Sequence, residues 1–263
     1  MAFAKKSLGQ NFLMHAQTAE RIAQAAKLPP DATVLEIGPG TGMLTRALLA
    51  QVGEQGRVVA VEADDQLIPE LKETFAQEIA AGKLELIHED IRAFDPAYIG
   101  APYALVANIP YYLTGEIMRT FLTAEHKPYS ITVLVQKEVA ERIARSNGKE
   151  SVLSISVKVF GDPTYCFTVP RGAFMPAPNV DSAVISIQSI ENTTFSSPAE
   201  EQHFFDVLKT GFAQKRKKLM KNLGNLYPPE AVKHAFETLS LSTDIRPEDV
   251  PSDAWKPLAA ALA

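Results

Sequence analysis

The chain is poor in the residues that staple or anchor a protein. It has one cysteine, Cys166, in 263 residues. Internal disulfides and cysteine-cluster zinc sites are therefore excluded, and no other metal site is expected. No stretch approaches the ~20 apolar residues of a membrane span. The N-terminal "MAFAKKSLGQNFL" carries two lysines without the apolar run of a signal peptide. There is no repeat, no low-complexity tract, and no G-x-x-x-x-G-K-[ST] loop to hold a triphosphate. A soluble, cytoplasmic protein is the expectation. Cys166, inside the strand-like "TYCFTV", is expected to be a small core residue.

Hydrophobic residues make up 46% and charged residues 22%, enough for a real core in one large domain or two smaller ones and against disorder. The net charge of −5 argues mildly against a nucleic-acid partner, but the charge is uneven. Between Val207 and Pro229 stand six basic residues (Lys209, Lys215, Arg216, Lys217, Lys218 and Lys221) and no acid. The local field of such a segment can bind a polyanion whatever the total.

From about residue 33, apolar runs alternate with amphipathic ones. "TVLEIG", "RVVAVE", "LELIHED", "YALVAN" and "SITVLVQ" read as buried strands. "TGMLTRALLAQV", "DQLIPELKETFAQEIAAG" and residues 115–124 read as helices between them. That pattern predicts a parallel sheet covered on both faces, with ligands beyond the C-terminal strand ends. After Asn147 the close spacing of "VLSISVKVF", "YCFTV" and "DSAVISIQSI" predicts three strands and an antiparallel edge. Beyond a polar linker, residues 196–263 read as a helical domain; residues 1–190 form the α/β domain.

The first predicted strand runs into "GPGTG". Gly38, Gly40 and Gly42 let the backbone turn tightly and a ligand approach. A dinucleotide fingerprint needs glycine at 43, where Met43 stands. The second strand ends in Glu62, an acid about 20 residues past the loop and suited to ribose hydroxyls. The third ends with Asp90, either an acceptor for an adenine amino group or a cap for the next segment. The fourth ends at Asn108. A glycine loop, two acids and an amide at successive strand ends suit an adenosine without phosphates, which points to S-adenosylmethionine.

"NIPYY", Asn108 to Tyr112, follows "YALVA". Asn and Pro are ordinary turn chemistry, but two tyrosines at a strand end are unusual in a chain with 8% aromatics. Taken alone, the stretch is a proline turn with aromatic plugs. "GQNFL", "EIGPGTG", "NIPYY" and "FMPAPNVDS", in that order, resemble the small-subunit ribosomal RNA adenine N6-dimethyltransferase family over nearly the whole chain. The resemblance implies a Rossmann-like methyltransferase domain with a small helical C-terminal domain. It also implies transfer of methyl groups from S-adenosylmethionine to two adjacent adenines near the 3′ end of 16S rRNA.

Adenine N6 is a weak nucleophile. It needs alignment with the methyl group at ~3–3.5 Å and acceptors for its protons. By resemblance, Asn108 and a main-chain carbonyl of Ile109 or Pro110 accept them, and Pro110 stiffens the loop. Tyr111 and Phe174 are the implied stacking faces, and Tyr112 is assigned no role. Asn11 and Leu13 are implied to close over the cofactor. Lys215, Arg216, Lys217, Lys218 and Lys221, in a segment read as a basic helix, are the implied phosphate contacts, with Lys137 and Arg142 as a further RNA-facing pair. The implied partner is 16S rRNA in the 30S subunit or its precursor, with no membrane, and the chain is expected to be a monomer. Competing readings are the related Erm-type enzymes of large-subunit RNA and a non-catalytic assembly or transcription factor on the same fold. A cytosine C5-methyltransferase needs a cysteine nucleophile on a site loop, which Cys166 does not offer.

Overall fold

The computed structural model describes residue 5 and residues 9–100, 102–144, 149–191, 194–214 and 216–263. The chain divides into two units: Met1–Ala140 with Asp162–Ile190, and Glu141–Gly161 with Glu191–Ala263.

The first unit opens with a short strand, β1 (Phe12–Leu13), and helix α1 (Ala16–Ala25). Then strands and helices alternate: β2 (Thr33–Ile37), α2 (Met43–Gln51), β3 (Arg57–Glu62), α3 (Leu67–Thr74), α4 (Ala76–Ala80), β4 (Leu84–His88), β5 (Tyr103–Asn108), α5 (Thr114–Thr123) and β6 (Ser130–Gln136). Val34, Leu35, Val58, Val59, Ala104, Leu105, Val106, Val133 and Leu134 are fully buried, as residues covered on both sheet faces must be. The sheet runs β4-β3-β2-β5-β6 with parallel pairings throughout. Its order reverses between β2 and β5, and a crevice opens at such a switch point.

The long helix expected at residues 65–82 is two. Phe75, between α3 and α4, leaves helical geometry and is buried, with its ring against Gly42. The remaining strands are β7 (Asp162–Val169), β8 (Phe174–Met175) and β9 (Ser182–Gln188). β9 lies antiparallel to β6, and β7 antiparallel to β9, making the expected antiparallel edge. Cys166 is only half-buried, at an irregularity in β7, and is not a core residue. β8 pairs instead with β1, with Phe12 opposite Met175 and Leu13 opposite Phe174.

The segment read as a first edge strand is a helix, α7 (Val152–Lys158), which follows α6 (Lys137–Ala144). Ser151 caps it reciprocally with Ser154, giving two helix-start groups a partner. It belongs to the second unit, so residues 141–161 lie outside the α/β unit to which the sequence assigned them. The other helices there are α8 (Pro198–Gly211), α9 (Leu219–Leu223), α10 (Pro229–Thr238) and α11 (Trp255–Ala260). Their core gathers Phe204, Leu208, Leu219, Leu223, Phe236 and Trp255, with Ile155 of α7 among them.

The basic segment is not one helix. α8 stops at Gly211, and a turn precedes α9. Asn222, 1% exposed, donates its amide N–H groups to the carbonyls of Gly211 (2.6 Å) and Gln214 (3.1 Å). The Gly211 carbonyl, at the end of α8, has lost its helical partner and the side chain replaces it, while the Gln214 carbonyl also accepts from the Lys217 N–H at 3.0 Å.

Candidate active site

A cleft lies at the C-terminal ends of β2, β3, β4 and β5, where the strand order reverses. Its empty space, counted out through its open mouth and so including solvent, is about 1020 Å³. Gly38, Gly40, Glu62, Asp90, Asn108, Pro110, Tyr111, Asn11 and Leu13, all named from the sequence, line it. Phe174 does not.

Gly38 and Gly40 both adopt positive φ, at 66° and 58°. A Cβ on Gly38 would project into open space, whereas one on Gly40 would meet the Phe12 ring at 3.0 Å. The loop thus offers bare backbone where a ligand would lie.

Glu62 is 5% exposed and grips this loop: one oxygen accepts from the Gly40 N–H at 3.0 Å, the other from the Asp64 N–H at 2.8 Å. Burial raises its carboxyl above the ordinary range, and these two N–H groups only partly offset that. Each oxygen keeps a lone pair for a ligand hydroxyl. The sequence suggests a ribose contact or a solvated helix-entry residue at Glu62; in the structure it is buried and fixes the loop's shape.

Asp90 is held by Arg92. Oδ1 accepts from the Arg92 main-chain N–H and from Nε, both at 3.0 Å, and Oδ2 from Nη2. The guanidinium keeps the Asp90 carboxyl below its usual range. Asp90 thus fills its capping role on the Arg92 main-chain N–H, and it also lines the cleft.

At the end of β5, the Asn108 Nδ2 donates to the Asn11 carbonyl at 3.1 Å. That bond turns its Oδ1 into the remaining acceptor. The Pro110 carbonyl is engaged by the Leu113 N–H at 2.9 Å. Tyr111 is half-buried, with its hydroxyl 2.6 Å from the Ser182 hydroxyl, and burial raises its phenol.

Phe174 is 4% exposed and packs in the core cluster with Phe12 and Leu13. Side chains alternate along a strand, so pairing of β8 with β1 turns Phe174 inward and Met175, 62% exposed, outward.

Other features in and beside the cleft carry no assignment from the sequence. Asp64, its side chain 2% exposed, accepts from Lys5 Nζ at 2.6 Å and Gln10 Nε2 at 2.8 Å, which ties the N-terminal segment to the end of β3. Burial alone would raise its carboxyl, but Lys5, Gln10 and the Gln66 N–H together hold it low. Arg92, Tyr112 and Phe12 also line the cleft. The partners in the Asp64 clamp stand 54 to 59 positions away, so only the fold brings them together.

Of the basic residues, Arg216, Lys217, Lys218 and Lys221 are exposed in the turn and α9, and Lys218 pairs with Asp244. Lys215 lies outside the described residues. Lys137 is half-buried and Arg142 exposed. Five positions apart on α6, they point about 140° from each other and do not share a face.

A doubly wound sheet with bare glycine backbone, a ribose-suited carboxylate and a strand-end amide at its switch point defines a class I S-adenosylmethionine-dependent methyltransferase. A sequence model of the family described as ribosomal RNA adenine dimethylase matches residues 1–259. A "Ribosomal RNA small subunit methyltransferase A" of Dehalococcoides mccartyi is 39% identical over 99% of this chain and 89% of its own length. One from Deinococcus radiodurans is 38% identical over 98% and 85%. Among solved structures, the 23S rRNA methyltransferase ErmE superposes with a TM-score of 0.77 at 27% identity, covering 96% of this chain and 99% of its own. A dimethyladenosine transferase from Plasmodium falciparum shares the fold with a TM-score of 0.77 at 24% identity, covering 94% and 95%. The chain belongs to the ribosomal RNA adenine dimethylase family, and it is an S-adenosylmethionine-dependent enzyme acting on rRNA adenine.

Proposed function

We propose that the protein dimethylates N6 of two adjacent adenines near the 3′ end of 16S rRNA, in the 30S subunit or its precursor. The orientation of Asn108 carries the chemistry. The choice of subunit is supported by curated relatives at 34–39% identity named for the small subunit, against 27% for the 23S enzyme.

When bound, S-adenosylmethionine supplies an electrophilic methyl group on its sulfonium. Bare backbone at Gly38 and Gly40 accommodates it, the spare lone pairs of Glu62 accept from ribose hydroxyls, and Asp90 accepts from the adenine amine. Asn11 and Leu13 cover it from the N-terminal segment. Asn108 Oδ1 accepts one proton of the target N6 as its lone pair turns toward the methyl group. A second acceptor is the main-chain carbonyl of Ile109 or that of Pro110, which keeps one lone pair beside the Leu113 N–H. Tyr111 stacks on the target ring, a contact worth about 1–3 kcal/mol, and the base must leave its helix to reach it. Phe174 acts behind this face, bracing β1 and β8, and not as a stacking surface. Exposed Arg216, Lys217, Lys218 and Lys221 contact RNA phosphate.

The test is incubation with undermodified 30S subunits, 50S subunits and methyl-labelled S-adenosylmethionine. Dimethyladenosine is expected in 30S RNA. Asn108→Ala should lower kcat more than it raises KM, because the acceptor matters most in the transition state. Label in 50S RNA alone would replace this reading with the large-subunit one.

A further inference from the structure

Tyr112 and Arg92 lie on the rim of the cleft, and the chemistry above uses neither for the target base. Tyr112 follows Tyr111 directly, yet its side chain points to solvent and is 59% exposed. One side of its ring rests against Gly9, whose φ is +61°; a Cβ there would stand 2.9 Å from the ring. The glycine therefore lets the tyrosine lie on the N-terminal segment with the rest of its surface open. An aromatic ring this exposed gains little from the core and offers a flat face to a partner.

Arg92 is 55% exposed and already oriented. Its Nε and Nη2 edge is spent on Asp90. Its Nη1 has no partner among the described residues. A guanidinium pinned along one edge presents the other at low entropic cost, in the geometry that suits phosphate. Tyr112 and Arg92 line one and the same cleft, so a ligand in its mouth can reach both.

We propose that Tyr112 and Arg92 form a second nucleotide subsite, which takes the nucleotide flanking the target adenine, its base on the Tyr112 ring and its phosphate on the free edge of Arg92. This rests on the reading of the substrate as ribosomal RNA adenine. An adenine drawn into the cleft leaves its chain neighbour at the rim, unstacked on one side and with its phosphate turned toward the mouth. The subsite supplies a replacement stack and a counter-charge there. It also gives register, because a base held on Tyr112 fixes which adjacent residue reaches Tyr111.

The experiment uses the full chain and undermodified 30S subunits, with kcat, KM and cofactor affinity measured for each variant. Tyr112→Ala should raise KM for 30S subunits about 5- to 150-fold, as loss of one stack implies, with calorimetric S-adenosylmethionine affinity within about twofold of wild type. Tyr112→Phe keeps the ring and should restore KM. Arg92→Gln should flatten the salt dependence of RNA binding by about 0.7 of a unit, one single-strand phosphate contact. A wild-type KM in Tyr112→Ala, an equal loss in Tyr112→Phe, or an unchanged salt slope in Arg92→Gln would overturn the subsite while wild-type turnover on 30S subunits still supports the parent reading. No wild-type turnover on 30S subunits would overturn both.

Discussion

Glu36 sits two residues before the glycine loop, 1% exposed, and among the described residues neither carboxylate oxygen has a partner in good hydrogen-bond geometry. Burial, with nearby Glu62 adding to it, pushes its pKa from 4.5 up to about 8, and the neighbouring Thr45 hydroxyl offsets only part of this. The acid is therefore protonated in the folded protein at neutral pH, while in the unfolded chain it ionises above about 4.5. The folded state binds the extra proton between those values, so stability falls as pH rises from about 4.5 to about 8. The contribution is fully present below the unfolded value and gone above the folded one. Glu36→Gln mimics the protonated form and should abolish that loss. Its advantage over wild type should be near zero at pH 4.5 and grow to the order of 4–5 kcal/mol by pH 8. Urea denaturation of both proteins across this range is the check; a constant difference would mean Glu36 is charged or solvated in the folded state. From the sequence, Glu36 is just another strand residue. Glu62 and Asn108 were readable because a strand end beyond a glycine loop is a position with chemistry. What the structure adds, Glu62 fixing the loop and Asn108 docking on Asn11, depends on backbone groups that no side-chain pattern displays.

At the scale of elements, the central strands were legible because burial on both faces leaves unbroken apolar runs. The failure at α7 has an equally physical origin. From Leu153 to Val159 apolar residues alternate strictly with Ser154, Ser156 and Lys158, the pattern of a half-buried strand. The same residues place Val152, Ile155 and Val159 on one helical face, and the Ser151–Ser154 cap decides between the two. The basic segment was misread for a similar reason, since its composition suits a helix and only the buried Asn222 reveals the turn. That turn holds Arg216 and Lys217 exposed, beside Lys218. Changing Arg216, Lys217 and Lys218 to Glu should leave S-adenosylmethionine affinity unchanged and weaken 30S binding. It should also flatten the salt slope by about 0.7–0.9 per lost phosphate contact. Lys218→Glu also sets a like charge beside Asp244, but that exposed pair contributes at most about 1 kcal/mol to stability. An unaltered salt slope would mark the turn as solvated surface.

Across the whole molecule, the two kinds of structure, α/β and then all-helical, could be read in chain order, but their boundary could not. The chain enters the helical unit at Glu141, returns at Asp162 and leaves again at Glu191. A boundary read along the sequence assumes each unit is one stretch, and here α7 is an excursion. The consequence is testable by cutting where the sequence suggests. A chain ending at Ile190 keeps every cleft residue named above, yet strips Ile155, fully buried in the helical unit's core, of Phe204, Leu208 and the other side chains that cover it. Val152 and Val159 pack beside it and lose the same cover. The truncated chain should therefore bind an apolar dye and aggregate more readily than the full chain. Ile155→Ser should have opposite effects in the two contexts. In the truncated chain it should reduce dye binding and improve solubility, since it removes an exposed apolar group. In the full chain it should cost about 2–5 kcal/mol, because it leaves a cavity and a hydroxyl in a packed core. Dye fluorescence and urea denaturation of the four proteins give both signs directly. Destabilisation by Ile155→Ser in both contexts would mean that α7 is held by the α/β unit, and that the sequence-based boundary at residue 190 is the physical one after all.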